Sequence, residues 1–347
     1  MSQADAQQET CTIDINDGER TLRVAPGRSL FDTLAGENIP LPSICGGDGR
    51  CGCCRARVLS SANDPTPAER KHLTAEELGA GWRLTCLVPV ADDLTVEIPE
   101  EFLAARPFRA RVEWIREMTH DIRMLRLSLL HPERIEFRAG RYIKLNVPTS
   151  VRASRPSRPF SFANPPSDDG AVELIVRHNP RGVCTNWIFN RLRCGHEVRF
   201  SGPYGEFGLS NTDRPMVWVA GGSGLSAFWS ILRHMAETDV ERTCTLYFGA
   251  VAGRDLYLLD ELGAYERDHE WFSFVAALSD PQPGDNWTGE TGLITDVLDR
   301  RLDDGAGMEA YLCGSPGMLA AARKVLAAKG IGPERTFYDA FIRSANR

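Results

Sequence analysis

Cys45, Cys51 and Cys54, in the run CGGDGRCGCC, and Cys86, in WRLTCLV, have the type and spacing to hold a metal cluster. The pattern is C-x5-C-x2-C, with 31 residues between Cys54 and Cys86. Iron in a [2Fe–2S] cluster is held by four thiolates in a C-x4-C-x2-C…C arrangement, and this run carries one extra residue in the first gap. Gly46, Gly47, Gly49 and Gly52 suit a loop that wraps inorganic sulfide and turns its N–H groups inward, because glycine accepts positive φ and has no Cβ. A structural zinc site fits less well, since it pairs two knuckles or ends in histidines, and Cys51–Cys54 has no second knuckle. A disulfide framework suits short secreted chains rather than 347 residues. Five cysteines compete for four places. Cys53 breaks the C-x2-C step and is read as a non-ligand.

Further along the chain, Arg158-Pro159-Phe160-Ser161 resembles the R-x-[YF]-[ST] flavin motif of the ferredoxin–NADP reductase family. The resemblance implies that Arg158 pairs with the FAD pyrophosphate, that Phe160 lies along the isoalloxazine, and that Ser161 sits near flavin N5. Gly182-Val183-Cys184-Thr185-Asn186 is similar to the same family's G-V-[CS]-[ST]-N stretch, where a helix N-terminus offers N–H groups and its dipole to the pyrophosphate. Arg177, on the strand before it, fits a basic position of the family. Gly202-Pro203-Tyr204-Gly205-Glu206-Phe207 resembles the turn that closes the FAD barrel.

Gly221, Gly222, Ser223 and Gly224 lie between an apolar run and a helical pattern, where backbone N–H groups can approach a dinucleotide pyrophosphate. They look like the family's G-[GT]-x-G-x-x-P turn. Ser226 replaces the proline, which should loosen the first helical turn. Cys313-Gly314-Ser315-Pro316 resembles the C-G-x-P motif beside the nicotinamide. Asp339-Ala340-Phe341 is similar to the family's acidic–x–aromatic ending, which implies Phe341 over one flavin face and Asp339 near N5. NADP-dependent relatives carry Ser-Arg after the strand that ends here in Ser279-Asp280. A carboxylate repels a 2′-phosphate and accepts from ribose hydroxyls, so Asp280 favours NADH. Ser161, Cys313 and Asp339 form the expected catalytic set. The seven histidines form no metal pattern.

These groups need elements to hold them. TCTIDI and RTLRVA flank Asn16-Asp17-Gly18 as a hairpin. SLFDTLAGEN reads as a helix with Ser29 at its N-cap. CRARVLSS and LTVEIPE read as strands beyond the cysteine loop. A short sheet crossed by one helix is a β-grasp arrangement, which resembles [2Fe–2S] ferredoxins. PEEFLAARP, residues 99–107, is a linker. FRARVEWIRE, DIRMLRLSLL, YIKLNVP, AVELIVR and HEVRFSGPYG predict an antiparallel β-barrel, interrupted by a helix at CTNWIFNRL. From residue 213, MVWVAGG, CTLYFGA, WFSFVAAL and AYLCG alternate with three helical patterns and predict an α/β parallel sheet.

Composition agrees with a globular protein: 42% hydrophobic and 25% charged. No run of 18 apolar residues appears, so no membrane insertion is expected. The polar MSQADAQQET start reads as frayed rather than as a signal peptide, and ten cysteines without such a signal point to a reducing, cytoplasmic setting. Residues 1–100 hold 16 Asp+Glu against 9 Lys+Arg, whereas residues 101–347 hold 31 of each, so the whole net charge of −7 lies with the cysteine segment. That face is either simply solvated or a dock for a basic partner. No basic stripe with interleaved aromatics suggests nucleic acid.

Three expected domains follow: 1–100 [2Fe–2S] ferredoxin, 101–210 FAD barrel, 211–347 NAD-binding α/β. This order resembles the reductase components of bacterial multicomponent oxygenases. It also resembles the soluble part of the sodium-pumping NADH:quinone reductase F subunit, whose ferredoxin loop has a similar CGGDGRCG and whose DNWTGETGLI looks alike. The resemblance implies a monomeric enzyme that moves electrons from NADH through FAD to a [2Fe–2S] cluster, because FAD takes two electrons and releases them singly. The acceptor would be an oxygenase hydroxylase component or a ferredoxin. A reductive activator, a quinone or ferredoxin reductase, and a non-catalytic redox-sensing subunit are the alternatives.

Overall fold

The computed structural model describes residues 10–37, 39, 41–43, 45, 47–60, 64–99, 102–103, 105–148, 151 and 157–341. The expectations for the first nine residues, for Pro40, for Gly46 and for part of the linker fall outside these. The chain divides into two compact units, Met1–Arg106 and Pro107–Arg343.

The first unit is a five-stranded sheet in the order β2-β1-β5-β3-β4, formed by β1 (Cys11–Ile15), β2 (Arg20–Val24), β3 (Arg55–Val58), β4 (Trp82–Leu84) and β5 (Leu94–Glu97). β1 and β2 pair antiparallel across Asn16, Asp17 and Gly18, all at positive φ, while β1 and β5 run parallel. This is the expected β-grasp. Helix α1 (Leu30–Gly36) starts at Ser29, whose hydroxyl accepts from the Asp32 N–H. Two helices absent from the sequence reading follow β3: α2 (Pro67–His72) and α3 (Ala75–Gly79), each opened by a capping box, Thr66 with Glu69 and Thr74 with Glu77. Glu69 does more than cap. It is fully buried and accepts from Arg83 Nε at 2.8 Å and from the Leu84 N–H at 3.1 Å, which ties α2 to the strand leading to Cys86.

The second unit contains two sheets. The first is antiparallel, in the order β10-β7-β6-β11-β8-β9: β6 (Arg106–Glu117), β7 (Ile122–His131), β8 (Tyr142–Asn146), β9 (Ser157–Ser161), β10 (Ala171–Arg177) and β11 (Glu197–Tyr204). A bridge between Phe162 and Leu174 brings β9 back to β10 and closes the barrel. Phe162, Leu174, Val176 and Phe200 fill it. The sequence supplied five of these strands. The sixth, β9, is the RPFS segment itself. Helix α4 (Val183–Asn190) follows β10. β6 begins at Arg106, inside the segment read as linker.

The second sheet is parallel, in the order β15-β14-β13-β12-β16-β17: β12 (Met216–Gly221), β13 (Cys244–Ala250), β14 (Phe272–Leu278), β15 (Glu290–Thr291), β16 (Glu309–Gly314) and β17 (Thr336–Ala340). Helices α5 (Leu225–Glu237), α6 (Leu259–Asp268), α7 (Ile294–Arg301) and α8 (Pro316–Ala328) accompany it. The sequence reading missed β15, β17 and α6. β12 is buried along nearly its whole length, as a central parallel strand must be. Trp218 and Phe228 anchor one core, which also takes in Met124, Ala163 and Ile175 of the barrel. Val219, Leu312 and Leu326 belong to a second core.

Candidate functional site

The cysteine loop brings together residues far apart in sequence. The Cys54 thiol lies 3.3 Å from the sulfur of Cys86, which sits in a tight turn at Thr85–Leu87. The Thr85 N–H and hydroxyl both donate to the Cys54 carbonyl, at 2.8 and 3.1 Å, and lock the two segments together. Burial alone would raise the Cys45 thiol. The N–H groups of Arg50, Asp48 and Gly47 and the Cys51 thiol donate to it and hold it down at about 6. The Cys86 thiol and N–H and the Thr85 hydroxyl hold Cys54 at about 6 against burial. The same contact with Cys54, together with burial, pushes the Cys86 thiol up, while the Gly49 N–H opposes the rise. Backbone donors aimed at sulfur are what an anionic iron–sulfide cluster requires, so the donor set fits such a group. Gly47 and Gly49 sit at φ +97° and +71°, the conformation that turns those donors inward. Cys53 is turned to the Cys51 carbonyl at 3.4 Å.

In the second unit, β9 carries Arg158 and Phe160 on one face and Ser161, which is buried, on the other. α4 begins at Gly182 with no side chain capping it, so its first-turn N–H groups can receive an anion. Burial pushes the Cys184 thiol up to about 12, and the Arg158 charge opposes the rise. The Arg158 guanidinium is thus near enough to the helix start to act on it electrostatically. The Thr185 hydroxyl donates to the Asn179 carbonyl at 3.0 Å and shapes the turn into the helix.

Arg177 closes β10, and its contacts lie toward the nucleotide turn. Its Nε donates to Asp121 at 2.7 Å, and a Cβ built on Gly222 would lie 3.0 Å from its Nη1. It lines a cleft of about 380 Å³ with Asp121, Asp255, Gly221, Gly222, Ser279 and Ser315, over the carboxyl ends of β12, β13 and β14. Gly222 has φ +54°, and its carbonyl accepts from the buried Tyr257 hydroxyl at 2.9 Å, which holds the turn from behind. Gly224 is required for a different reason: a Cβ there would collide with the Cys313 carbonyl. Cys313 is fully buried at the end of β16 and is in register with Asp339 of β17. Burial pushes the Asp339 carboxyl up to about 6. The Phe341 N–H donates to the Gly314 carbonyl at 2.8 Å, which extends β17 toward the same place. Asp280 is exposed just past β14, with its N–H on the Val251 carbonyl at 2.8 Å.

Asp121, Asp255 and Tyr257 were missed from the sequence because no motif marks them. Ser226 does more than replace a proline. α5 does not loosen there: it begins at Leu225, and the Ser226 hydroxyl donates to the Ser161 carbonyl at 3.0 Å.

Comparison with known proteins gives three family models in succession. A 2Fe-2S iron-sulfur cluster binding domain matches residues 13–91, an oxidoreductase FAD-binding domain residues 109–208, and an oxidoreductase NAD-binding domain residues 218–324. The F subunit of the Na(+)-translocating NADH-quinone reductase of Pseudomonas aeruginosa is 33% identical over 370 residues, covering 95% of this chain and 90% of that one. The chain belongs to the ferredoxin–NADP reductase superfamily, in the family of that F subunit. Its counterpart in Methylococcus capsulatus is 32% identical over 93% of this chain and 90% of its own. Among solved structures, the Amycolatopsis cytochrome P450 reductase GcoB superposes with a TM-score of 0.77 at 30% identity, covering 97% of this chain and all of that one. The ferredoxin reductase in carbazole 1,9a-dioxygenase shares the fold, with a TM-score of 0.71 at 24% identity over 96% of this chain and 99% of its own. Members of this superfamily with these three domains are NAD(H)-dependent flavin and [2Fe–2S] oxidoreductases, and this chain is one. No helix among the described residues is long and apolar enough to cross a membrane.

Proposed function

We propose that the chain is the reductase of a two-component oxygenase, taking electrons from NADH and delivering them singly to a separate hydroxylase protein. In this reading residues 1–100, 101–210 and 211–347 are the cluster, flavin and nucleotide domains. Bound FAD supplies the change in electron number, accepting two electrons with the NADH hydride and releasing them one at a time. The chain's own residues do the rest. Cys45, Cys51, Cys54 and Cys86 provide four thiolates. Arg158 and the uncapped start of α4, at Gly182, Val183, Cys184 and Thr185, receive the flavin pyrophosphate. The Gly221–Gly224 turn receives that of NADH. Ser161 offers a hydroxyl on the flavin side and Cys313 packs on the nicotinamide side. Asp339, its carboxyl pushed up to about 6, can take and release a proton just below neutral pH, and Phe341 covers a ring face.

The observation that carries this reading is the adjacency of the two sides: β9, ending in Ser161, is hydrogen-bonded to the helix start that packs on Cys313. An oxygenase acceptor is supported by GcoB, a cytochrome P450 reductase similar over its whole length, and by the acidic excess of residues 1–100, which suits a basic docking face. A second reading, delivery toward a quinone, is favoured by the identity with the F subunit.

Anaerobic titration of the holoprotein with NADH, followed by electron paramagnetic resonance, tests the electron path. The [2Fe–2S] signal should appear within turnover time. A flavin that bleaches while the cluster stays oxidised sinks the proposal. Rapid reduction of ubiquinone-1 together with failure to reduce any P450, Rieske or di-iron hydroxylase would move the assignment to the second reading.

A further inference from the structure

We propose that Ser226 is a positioning residue that sets the separation between the hydride donor and acceptor, by fixing β9 against the start of α5. The idea rests on the proposed placement of Ser161 beside the flavin and Cys313 beside the nicotinamide. Three donors line one face of α5 at helical spacing, Ser226, Ser230 and Arg233. The Ser226 hydroxyl donates to the Ser161 carbonyl at 3.0 Å, and the Ser230 hydroxyl to the Asn164 carbonyl at 2.6 Å. Arg233 pairs with Glu173 at 2.7 Å. Ser226 and Ser230 are both fully buried, so each hydroxyl makes its bond away from water.

The two serines differ in what they hold. Ser230 holds a carbonyl three residues past Ser161. Ser226 holds the carbonyl of Ser161 itself, and it stands two residues from Gly224, whose backbone is packed on the Cys313 carbonyl. A path of direct contacts therefore runs from Cys313 through the Gly224 turn and the Ser226 hydroxyl to Ser161. Losing the Ser230 bond weakens the clasp at a distance. Losing the Ser226 bond frees the flavin-side residue to shift against the nicotinamide side. Hydride transfer is steep in that separation, and a displacement on the order of 1 Å can cost about a hundredfold in rate.

The test uses the FAD- and cluster-loaded chain and its Ser226→Ala, Ser230→Ala and Ser161→Ala variants. Two readouts apply: visible circular dichroism of the oxidised bound flavin without NADH, and the stopped-flow rate of flavin reduction at saturating NADH and C4-deuterated NADH. For Ser226→Ala we expect a changed flavin dichroism, a rate roughly tenfold lower with a larger isotope effect, and an unchanged dissociation constant for NADH. Ser230→Ala should lower the melting temperature comparably while keeping the wild-type dichroism and rate. Equal slowing in both serine variants, or wild-type rate and dichroism in Ser226→Ala, overturns the inference. Ser161→Ala separates the causes. If it slows reduction while Ser226→Ala does not, only the inference fails. If it leaves reduction at the wild-type rate, the flavin-side placement fails too.

Discussion

The sulfurs of Cys54 and Cys86 lie 3.3 Å apart, and Thr85 holds their backbones together from the side. Cys53, next to Cys54 in sequence, is turned to the Cys51 carbonyl. Two neighbouring thiols thus face different surroundings. Cys54→Ser is expected to lose the visible cluster absorbance with FAD retained, and Cys53→Ser to keep both. Absorption spectra and iron content of the purified variants check this.

Arg177 reaches Gly222 of the nucleotide turn and is paired with Asp121. Replacing it should act on NADH and leave FAD in place. Arg177→Gln is expected to raise the dissociation constant for NADH about tenfold, the usual scale of one charge-assisted contact, with unchanged flavin content. Asp121→Asn, which frees the guanidinium, should tighten NADH binding. Loss of FAD from the purified Arg177→Gln protein would return this side chain to the flavin.

Asp280 stands exposed where β14 ends, one residue after Ser279 of the cleft. A carboxylate there disfavours a 2′-phosphate by direct repulsion. Asp280→Arg should shift the NADH/NADPH ratio of kcat/KM by about tenfold or more toward NADPH. Steady-state kinetics with both nucleotides decide it, and an unchanged ratio removes Asp280 from cofactor selection.

Glu309, the first residue of β16, and Arg242 form a buried pair at 2.6 Å at the amino end of the parallel sheet. Burial alone would raise the Glu309 carboxyl, but the Ser210, Tyr311 and Thr212 hydroxyls and the Arg242 guanidinium hold it at about 2. A carboxylate with a lowered folded-state pKa contributes stability above its unfolded value of about 4.3. That contribution fades as pH falls from there toward 2 and amounts to at most about 3 kcal/mol. Glu309→Gln should therefore lower the melting temperature at pH 7 and narrow the difference between pH 7 and pH 3.5. Calorimetry at the two pH values measures both.

Some elements escaped the sequence reading for identifiable reasons. Pro159 hid β9, because proline cannot serve a central ladder. β9 tolerates it because on its second side the strand meets β10 only through the Phe162 bridge. TFYDA of β17 has a mixed, half-exposed pattern that apolar-run reading passes over. α2 and α3 were announced by their capping boxes, Thr66 with Glu69 and Thr74 with Glu77, which are legible in the sequence and went unused.

The sequence by itself determined the cofactor complement and the order of the units. That chemistry is carried by short motifs: three closely spaced thiolates with a fourth beyond a gap of 31 residues, a glycine turn before a helix, and a guanidinium beside an aromatic. Tertiary structure alone decided which distant groups meet. It sent Arg177 to the Gly222 turn and gave Ser226 a carbonyl 65 residues upstream. Each of these contacts depends on how a helix or turn packs on a strand that the chain makes much earlier or later, and no local pattern encodes that packing.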